Sequence, residues 1–346
     1  MRRFRNLLMA TAASIAAFGA YAEPTFAARP EGTTADVLAT FTEVGTVDGA
    51  AAQPTVVGRR IVTLQEWQGK VYAGYGDWGA NTGPITVSST PANGTGFTAE
   101  FVLDTEAVEV MRPINGHLVV PHTDPRSGAS DFALGTPWTE SAGVGATHVF
   151  DAATLMGDDL WLVGSRGPQA VAWRSADGGA TWSVALAVDP SDPGSFARFH
   201  FAAVVGGKLF VQAWTGSAGN EGRSYVFDGS SWSRGRPLVE RYQQGRRPTA
   251  MSGRVVYATS PAGYAGELRV FDGKRATVAR SGVLDFAVSG EQVFALGADA
   301  NVWMSSDMRS WAVVAQAPLD AISITAAGNQ LWVGTAASTV WRSTLG

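Results

Sequence analysis

Residues 159–164 read Asp-Leu-Trp-Leu-Val-Gly, and a short apolar strand of this kind, followed by small residues, occurs seven times along the chain. Successive copies are 38 to 49 residues apart, counted from the first apolar residue of each, which are Val71, Leu118, Leu160, Leu209, Val255, Val293 and Leu331. Units of this length, made of short alternating strands between glycine-rich turns, are typical of the four-stranded blades of a β-propeller. The sequence therefore predicts an all-β fold, a single seven-bladed β-propeller with antiparallel blades, and leaves six blades open as an alternative.

The two ends of the chain are predicted to share a blade. The seventh unit ends after its third strand, residues 339–343, whereas residues 38–46 form a strand that precedes the first unit and has no blade of its own. We expect this N-terminal strand to close the last blade, because closure removes an open sheet edge. A single blade cannot bury both of its faces, so residues 28–346 are predicted to form one domain.

Composition excludes several classes of protein. The chain has 346 residues, 45% of them hydrophobic and 16% charged, and no cysteine. This apolar content is too high for a disordered chain. The absence of cysteine excludes disulfide scaffolds and thiolate metal sites.

The N-terminus has the pattern of a secretory signal peptide. Arg2, Arg3 and Arg5 precede an apolar run, and Ala20-Tyr21-Ala22 offers a cleavage site. We predict a signal peptide over residues 1–22, with a cut after Ala27 as the alternative, and a secreted, periplasmic or cell-envelope location. Cleavage after Ala22 leaves 23 basic residues against 30 acidic ones, a net charge of −7. This charge argues against nucleic-acid binding, and we expect a monomer with no membrane span after cleavage.

One hairpin carries a recognisable motif. Residues 175–182 read Ser-Ala-Asp-Gly-Gly-Ala-Thr-Trp, which fits the pattern S-x-D-x-G-x-T-W, and a partial copy lies at residues 303–311. The motif resembles the Asp box (BNR repeat) of sialidase-like propellers. The resemblance implies a structural role for Ser175, Asp177, Gly179, Thr181 and Trp182, on the face away from any catalytic site. The Phe/Tyr-Arg-Ile-Pro motif of sialidases is not found with its residues in that order, since the nearest match, residues 111–114, reads Met-Arg-Pro-Ile. We therefore do not expect sialidase activity.

Polar and aromatic residues are predicted to meet on the other face. The starts of inner strands and the loops after second strands lie at one end of a propeller, where a ligand site is expected. The candidate catalytic residues there are Asp77, His122, His148, His200 and Tyr264. The candidate substrate-binding residues are Trp78, Asn81, Arg198, Trp214, Arg246 and Arg247.

These residue types suit an acidic sugar. Arginine would neutralise a carboxylate, an aromatic ring would stack on a pyranose, and histidine or tyrosine would move a proton. The combination resembles that of some propeller polysaccharide lyases in residue types only. The alternative for Arg246 and Arg247 is a structural ion pair with a nearby acid such as Glu240.

No cofactor is predicted. His122, Asp124 and His148 could form a histidine and carboxylate metal site, but spacing across loops is not diagnostic. Bound calcium is an option at Asp189 and Asp192, although no known calcium motif is present.

Two functional hypotheses follow. The first is an exported propeller that binds, and could cleave, an acidic carbohydrate as a hydrolase or lyase. The second is a non-catalytic propeller that acts as a protein-interaction or assembly module in the cell envelope. The sequence leaves open whether the protein is an enzyme, because propellers serve both purposes.

Overall fold

The computed structural model describes residues 38–126, 130–157, 159–215, 223–240 and 243–345. The predicted signal peptide, residues 1–22, and the alternative cut after Ala27 lie outside the described residues. The only helix in these ranges is α1 (Asp48–Ala51), a single turn. No helix of the described chain is long and apolar enough to cross a membrane.

Twenty-eight strands make up the described structure. They begin with β1 (Ala39–Thr40) and β2 (Thr42–Thr46). Blade 1 contains β3 (Thr63–Trp67), β4 (Lys70–Gly74), β5 (Ile85–Pro91) and β6 (Thr98–Leu103). Blade 2 contains β7 (Arg112–Ile114), β8 (His117–Pro121), β9 (Ser130–Gly135) and β10 (Thr139–Ala142). Blade 3 contains β11 (His148–Ala153), β12 (Leu160–Arg166), β13 (Gln169–Ser175) and β14 (Ser183–Val188). Blade 4 contains β15 (Ala197–Val205), β16 (Lys208–Thr215), β17 (Ser224–Phe227) and β18 (Trp232–Gly235).

The next two blades share one long strand. Blade 5 contains β19 (Arg246–Met251), β20 (Arg254–Ala258), β21 (Gly266–Phe271) and the first half of β22 (Ala276–Ser289). Blade 6 contains the second half of β22 with β23 (Gln292–Gly297), β24 (Asn301–Ser305) and β25 (Ala312–Gln316). These seven strands and β1, which pairs in parallel with β25 at the edge, form one eight-stranded sheet. Blade 7 contains β26 (Ala321–Ala327), β27 (Gln330–Thr335) and β28 (Thr339–Thr344).

The N-terminal strand completes blade 7. β2 pairs antiparallel with β28, so that Thr42 lies opposite Arg342. Blade 7 also meets blade 1, because the Ile61 N–H donates to the Thr335 carbonyl at 3.0 Å and Ser323 Oγ donates to the Ile61 carbonyl at 2.7 Å. The structure confirms the seven-bladed propeller and the closure of its last blade by the N-terminal strand.

The core lies between neighbouring blades, which explains the apolar second strands. In β12 the side chains alternate between two faces. Trp161 packs toward blade 4, with its ring 5.0 Å from that of Phe227, whereas Leu160 and Leu162 pack toward blade 2. Because both faces are covered, six consecutive residues of this strand are buried. Truncating such a buried tryptophan costs about 3–5 kcal/mol.

Residues 175–182, whose sequence resembles an Asp box, form the turn between β13 and β14. Asp177 Oδ1 accepts hydrogen bonds from the Ser175 hydroxyl (2.7 Å) and the Thr181 N–H (2.8 Å), and Asp177 Oδ2 accepts one from the Thr181 hydroxyl (2.6 Å). These bonds lower the pKa of Asp177 to about 2. Gly179 adopts φ +99°, and its carbonyl accepts a bond from the Trp182 indole at 3.0 Å. The turn therefore satisfies these polar groups within the eight residues from Ser175 to Trp182.

Candidate ligand-binding face

The inner strands begin, and the second strands end, at one end of the ring, which we call the upper face. The inner strands are β3, β7, β11, β15, β19, the second half of β22, and β26. The turn at residues 175–182 joins a third strand to a fourth and therefore lies at the opposite end. Ligand-contacting residues on a propeller are expected on loops and strand ends of this kind.

Bulges interrupt five of the inner strands where they pair with the second strands. A β-bulge sets two residues against one and changes the direction of a side chain. Phe150, His200 and Arg247 each lie within such a bulge. All three belong to the side-chain clusters described below, so the bulges orient residues of the candidate site.

Four rings and one arginine form what we call the histidine cluster: His148, Phe150, Arg198, His200 and Trp214. The His148 ring stacks on Phe150 with centroids 5.5 Å apart, and Phe150 lies 4.4 Å from His200. The His200 ring meets Trp214 edge to face at 5.6 Å. The structure thus brings four of the predicted site residues together and joins them through Phe150, across blades 3 and 4.

Arg198 is the charged member of the histidine cluster. Its guanidinium lies 4.4 Å from the centroid of the Phe196 ring and 5.7 Å from that of Phe150. It makes no hydrogen bond or ion pair with any residue that the structure describes. Burial lowers its pKa to about 10, and the carboxylate of Asp124 opposes part of that shift. The side chain therefore remains a cation at neutral pH, with its N–H donors available.

His148 stands between a hydroxyl and a carboxylate. The Ser165 hydroxyl lies 2.8 Å from Nδ1, and Asp124 Oδ1 lies 3.8 Å from Nε2. The order resembles a serine, histidine and aspartate triad, but Ser165 is only 1% exposed and cannot reach a polymer substrate. Burial, followed by the nearby charge of Arg198, lowers the pKa of His148 to about 3. The imidazole is therefore neutral at pH 7 and a weak base.

His200 is also held neutral. Gln244 Nε2 donates a hydrogen bond to His200 Nδ1 at 2.7 Å, which leaves the proton on Nε2. That Nε2 is buried, without a hydrogen-bond partner among the described residues. Burial lowers the pKa of His200 well below its usual value, and the charge of Arg198 adds to the shift. Both histidines thus present neutral rings beside a cation.

His122 lies outside the accessible face. Its side chain is fully buried, its Nδ1 lies 3.1 Å from the Ser130 carbonyl, and its own carbonyl accepts the Val149 N–H at 3.1 Å. Burial lowers its pKa. The His122 ring therefore packs into blade 2 instead of facing solvent, and a catalytic role for His122 stays a prediction.

Arg246 and Arg247 are both buried, and both form an ion pair with the same carboxylate. Arg246 Nη1 lies 3.2 Å from Asp285 Oδ1, and Arg247 Nη1 lies 2.6 Å from Asp285 Oδ2. Their ion-pair partner is Asp285 and not the nearby Glu240, which pairs with Arg269 at 2.7 Å. The carboxylate that matters is 38 residues or more away in sequence, so nearness along the chain pointed to the wrong acid.

Polar groups of the loop after β4 are hydrogen-bonded within the loop and to the segments before β3 and after β6. Asp77 Oδ2 accepts the Thr55 hydroxyl at 2.8 Å, and Asp77 Oδ1 accepts the Ala80 N–H at 3.2 Å. The Asn81 amide, oriented to donate, reaches both carboxyl oxygens of Glu106 at 2.9 and 3.0 Å. The predicted catalytic Asp77 is thus engaged in shaping its loop.

Two further residues of this region are notable: Trp78 for its exposure and Glu106 for its pKa. Trp78 is 45% exposed. Burial and the neighbouring carboxylates Asp124 and Asp77 raise the pKa of Glu106 to about 7, while the charge of Arg126 acts in the opposite direction. Glu106 was not identified from the sequence, because nothing in its local pattern distinguishes it from an ordinary loop acid.

Tyr264 belongs to a separate contact. It is 44% exposed, and the guanidinium of Arg60 lies 5.1 Å from the centroid of its ring. Arg60 also donates to the Gly263 carbonyl at 2.8 Å. This pair links blade 1 to blade 5 across the ring.

Metal-binding geometry is not found in the described ranges, where no group of three or more histidine, aspartate or glutamate side chains is arranged around a common point. His122, Asp124 and His148 accordingly do not form a ligand set. Asp189 Oδ1 accepts a bond from Gln169 Nε2 at 2.9 Å, and calcium at Asp189 and Asp192 stays a prediction.

No protein-family model matches the sequence, and no curated protein matches it. Similarity is found among solved structures. Virginiamycin B lyase from Staphylococcus aureus superposes with a TM-score of 0.59 at 11% identity, covering 88% of this chain and 99% of that one. A catalytically inactive histidine-to-alanine variant of that enzyme, bound to quinupristin, gives a TM-score of 0.58 at 11% identity with the same coverage.

A second neighbour has a different role. PorZ, a surface component of the type-IX secretion system of Porphyromonas gingivalis, gives a TM-score of 0.53 at 12% identity. The match covers 83% of this chain and 46% of that one. Likenesses at this identity establish the β-propeller fold alone. One neighbour is an enzyme and the other a secretion component, so the fold does not decide between the two hypotheses.

Sequence reasoning missed the residues that hold the histidine cluster in place. Phe150 joins the two histidine rings, Ser165 fixes one of them and Gln244 the other. The sequence signal for these residues is a run of polar and aromatic residues around each inner-strand bulge, because apolar and polar side chains alternate along a regular strand. A bulge is not visible in a single sequence, so the partners could be assigned only from the fold.

Proposed function

We propose that the protein binds an acidic carbohydrate at the histidine cluster, with Arg198 binding a carboxylate of the sugar. The observation that carries the proposal is that Arg198 stacks on two aromatic rings and makes no hydrogen bond or ion pair with a described residue. A partly buried guanidinium with unused donors favours a carboxylate, which accepts two parallel N–H bonds. Trp214 supplies a partly exposed aromatic surface for a pyranose ring.

The charge of the cluster supports an anionic ligand over a neutral one. His148 and His200 are neutral because burial and Arg198 lower their pKa values. The charge of Asp124 acts on Arg198, and burial raises the pKa of Asp124. A carboxylate ligand would therefore meet a local excess of positive charge, although the mature chain is acidic.

We propose binding without cleavage. A general acid or base works best with a pKa near the working pH, and that of His148 is about 3. The hydroxyl of Ser165 is buried. The cluster thus supplies a cation and aromatic surface, but no group suited to move a proton at pH 7.

The test is direct binding of purified residues 28–346 to polygalacturonate and alginate, with dextran as the neutral control. We expect saturable binding of the acidic polymers, weakened about tenfold or more in Arg198→Gln, because a charge-assisted bond contributes roughly 1.5–3 kcal/mol. Arg234→Gln is the matched control, since Arg234 stacks on Tyr225 at 4.8 Å on an outer strand. Equal binding of dextran, or unchanged binding in Arg198→Gln, would contradict the proposal.

The same incubations test the absence of cleavage. We expect neither new reducing ends nor absorbance from unsaturated uronates. Reducing ends alone would reveal a hydrolase, and both signals together a lyase. Either result would overturn binding without cleavage while leaving the binding site itself in place.

A protein-interaction module is the second candidate function. Five large apolar side chains are exposed on loops of the upper face: Val56, Val57, Trp78, Tyr264 and Leu319. Exposed apolar groups on one face are typical of interaction sites, and the likeness to PorZ gives the fold a precedent in a secretion system. The Trp78→Ser and Leu319→Ser double variant should lose a protein partner while retaining carbohydrate binding. Loss of carbohydrate binding instead would assign these side chains to the sugar site.

Export to the cell envelope or beyond is part of the proposal, together with membership of the Asp-box propellers. Its support is the basic and apolar N-terminal pattern and the self-satisfied turn at Asp177. N-terminal sequencing of the protein recovered from the envelope and the medium should give chains that begin at Glu23 or Ala28. Recovery of the intact N-terminus from the cell interior would contradict export.

A further inference from the structure

Four arginines converge on the axis of the ring from different blades. Arg112 on β7 donates from Nε and Nη2 to the two carboxylate oxygens of Asp151, at 2.6 and 2.9 Å, and from Nη1 to the Pro248 carbonyl at 2.9 Å. It thereby links blade 2 to blade 3 and, across the axis, to blade 5. The other three arginines are Arg60, Arg246 and Arg247. We call these four arginines, with the carboxylates beside them, the axial array.

Arg247 has an unusual backbone at the centre of this array. It adopts φ +53° within the bulge of β19. That left-handed conformation is unfavourable for an L-residue other than glycine. The bend sets its guanidinium against Asp285 and 5.7 Å from the Phe286 ring centroid. A strained backbone conformation persists where the surrounding structure holds the residue in place, and such residues cluster at ligand sites.

One edge of the Arg247 guanidinium is unused. Nη1 donates to Asp285, whereas Nε and Nη2 donate to no described residue, and neither is completely shielded. Arg112 uses the equivalent Nε and Nη2 edge to bind both oxygens of Asp151, and Arg174 uses it on Asp159. Arg247 thus presents, near the axis and only 8% exposed, the edge that binds a carboxylate elsewhere in the same protein.

The axial array carries more positive than negative charge. Its four guanidiniums face three carboxylates, those of Glu109, Asp151 and Asp285. Burial raises the pKa of Glu109, which reduces the negative charge further. A surplus cation in a buried setting is costly unless an anion compensates it.

We infer that the axial array binds a small oxyanion on the Nε and Nη2 edge of Arg247, at a site separate from the histidine cluster. Two coplanar oxygens match the two parallel donors of a guanidinium. Sulfate and the carboxylate of a uronic acid share this geometry. The site would hold either an inorganic oxyanion or the end group of a sugar chain that enters the axis.

The experiment is calorimetric titration of residues 28–346 with sodium sulfate and, separately, with sodium glucuronate, against sodium chloride of equal ionic strength. We expect saturable binding of at least one oxyanion and none of chloride. Binding of sulfate alone identifies an inorganic ligand, and binding of glucuronate identifies a sugar end group. The absence of saturable heat from both oxyanions would overturn the inference without bearing on polymer binding at Arg198.

Two variants locate the site. Arg247→Lys keeps a cation beside Asp285 and removes the two-donor edge, so we expect oxyanion binding to weaken about tenfold or more. Arg254→Gln is the control, since Arg254 is exposed at the far end of the same hairpin. Unchanged affinity in Arg247→Lys would overturn the assignment. Loss of binding in Arg198→Gln, with Arg247→Lys unchanged, would place the anion in the histidine cluster instead.

Discussion

Replacing Asp285 by asparagine removes one negative charge from the axial array with little change in shape. Asp285 is completely buried and forms ion pairs with Arg246 and Arg247. It also accepts a hydrogen bond from the Ile324 N–H of blade 7 at 2.9 Å. Removing one partner of a buried ion pair costs about 3–5 kcal/mol, because the remaining charge stays buried. With an unfolding entropy of about 2.1 cal/mol/K per residue over roughly 310 residues, this corresponds to a fall in melting temperature of about 5–8 °C.

Thermal unfolding followed by circular dichroism at pH 7 and moderate salt measures this fall. Asp320→Asn is the control, because Asp320 is exposed and exposed substitutions change stability by about 0.5 kcal/mol or less. We expect Asp320→Asn to melt within about 1 °C of the wild type. A fall below about 2 °C in Asp285→Asn would refute the reasoning, since it would mean that water reaches and solvates both guanidiniums.

Three further variants test the cited pKa shifts and the turn at Asp177 by melting temperature. The pKa of His148 falls from about 6.5 to about 3 on folding, so the stability that its neutral ring contributes is complete above pH 6.5 and is lost toward pH 3. His148→Gln should therefore reduce the fall in melting temperature between pH 7 and pH 4. An unchanged dependence of melting temperature on pH would contradict this. The pKa of Glu106 rises from 4.5 to about 7, so its contribution is complete below pH 4.5 and is lost as pH rises through 7. Glu106→Gln should therefore stabilise the protein at pH 8.5 relative to the wild type but not at pH 4.5, and equal effects at both would count against it. Asp177→Ala should lower the melting temperature at pH 7 because it removes three bonds from one turn, whereas an unchanged value would show that the turn forms without them.

The repeat and the hairpins were predictable because their signals are local. Each second strand is apolar on consecutive positions, as in β12, and the turn at Asp177 closes within five residues of sequence. Ring closure was also predictable, since only residues 38–46 lacked a blade. Local regularity repeated seven times leaves few alternative folds.

The site was only partly predictable because its contacts are long-range. Arg246 and Arg247 were assigned to substrate, but their partner Asp285 lies on another blade. His122 and His148 both occupy strand ends, yet one ring is buried and the other joins a cluster through Phe150. Which way a ring turns at a strand end depends on bulges and on the neighbouring blade, and neither is written in the local pattern.

The pairing of β2 with β28 also sets a constraint on synthesis at the ribosome. The strand that completes blade 7 is made first, and its partner is made last, with 300 residues between Thr42 and Arg342. Joining ends so far apart costs roughly 5 kcal/mol of chain entropy. Until the last blade emerges, both edges of the growing stack are open to pairing with another nascent chain. The ring of seven blades can therefore close only after β28 has been synthesised and has paired with β2.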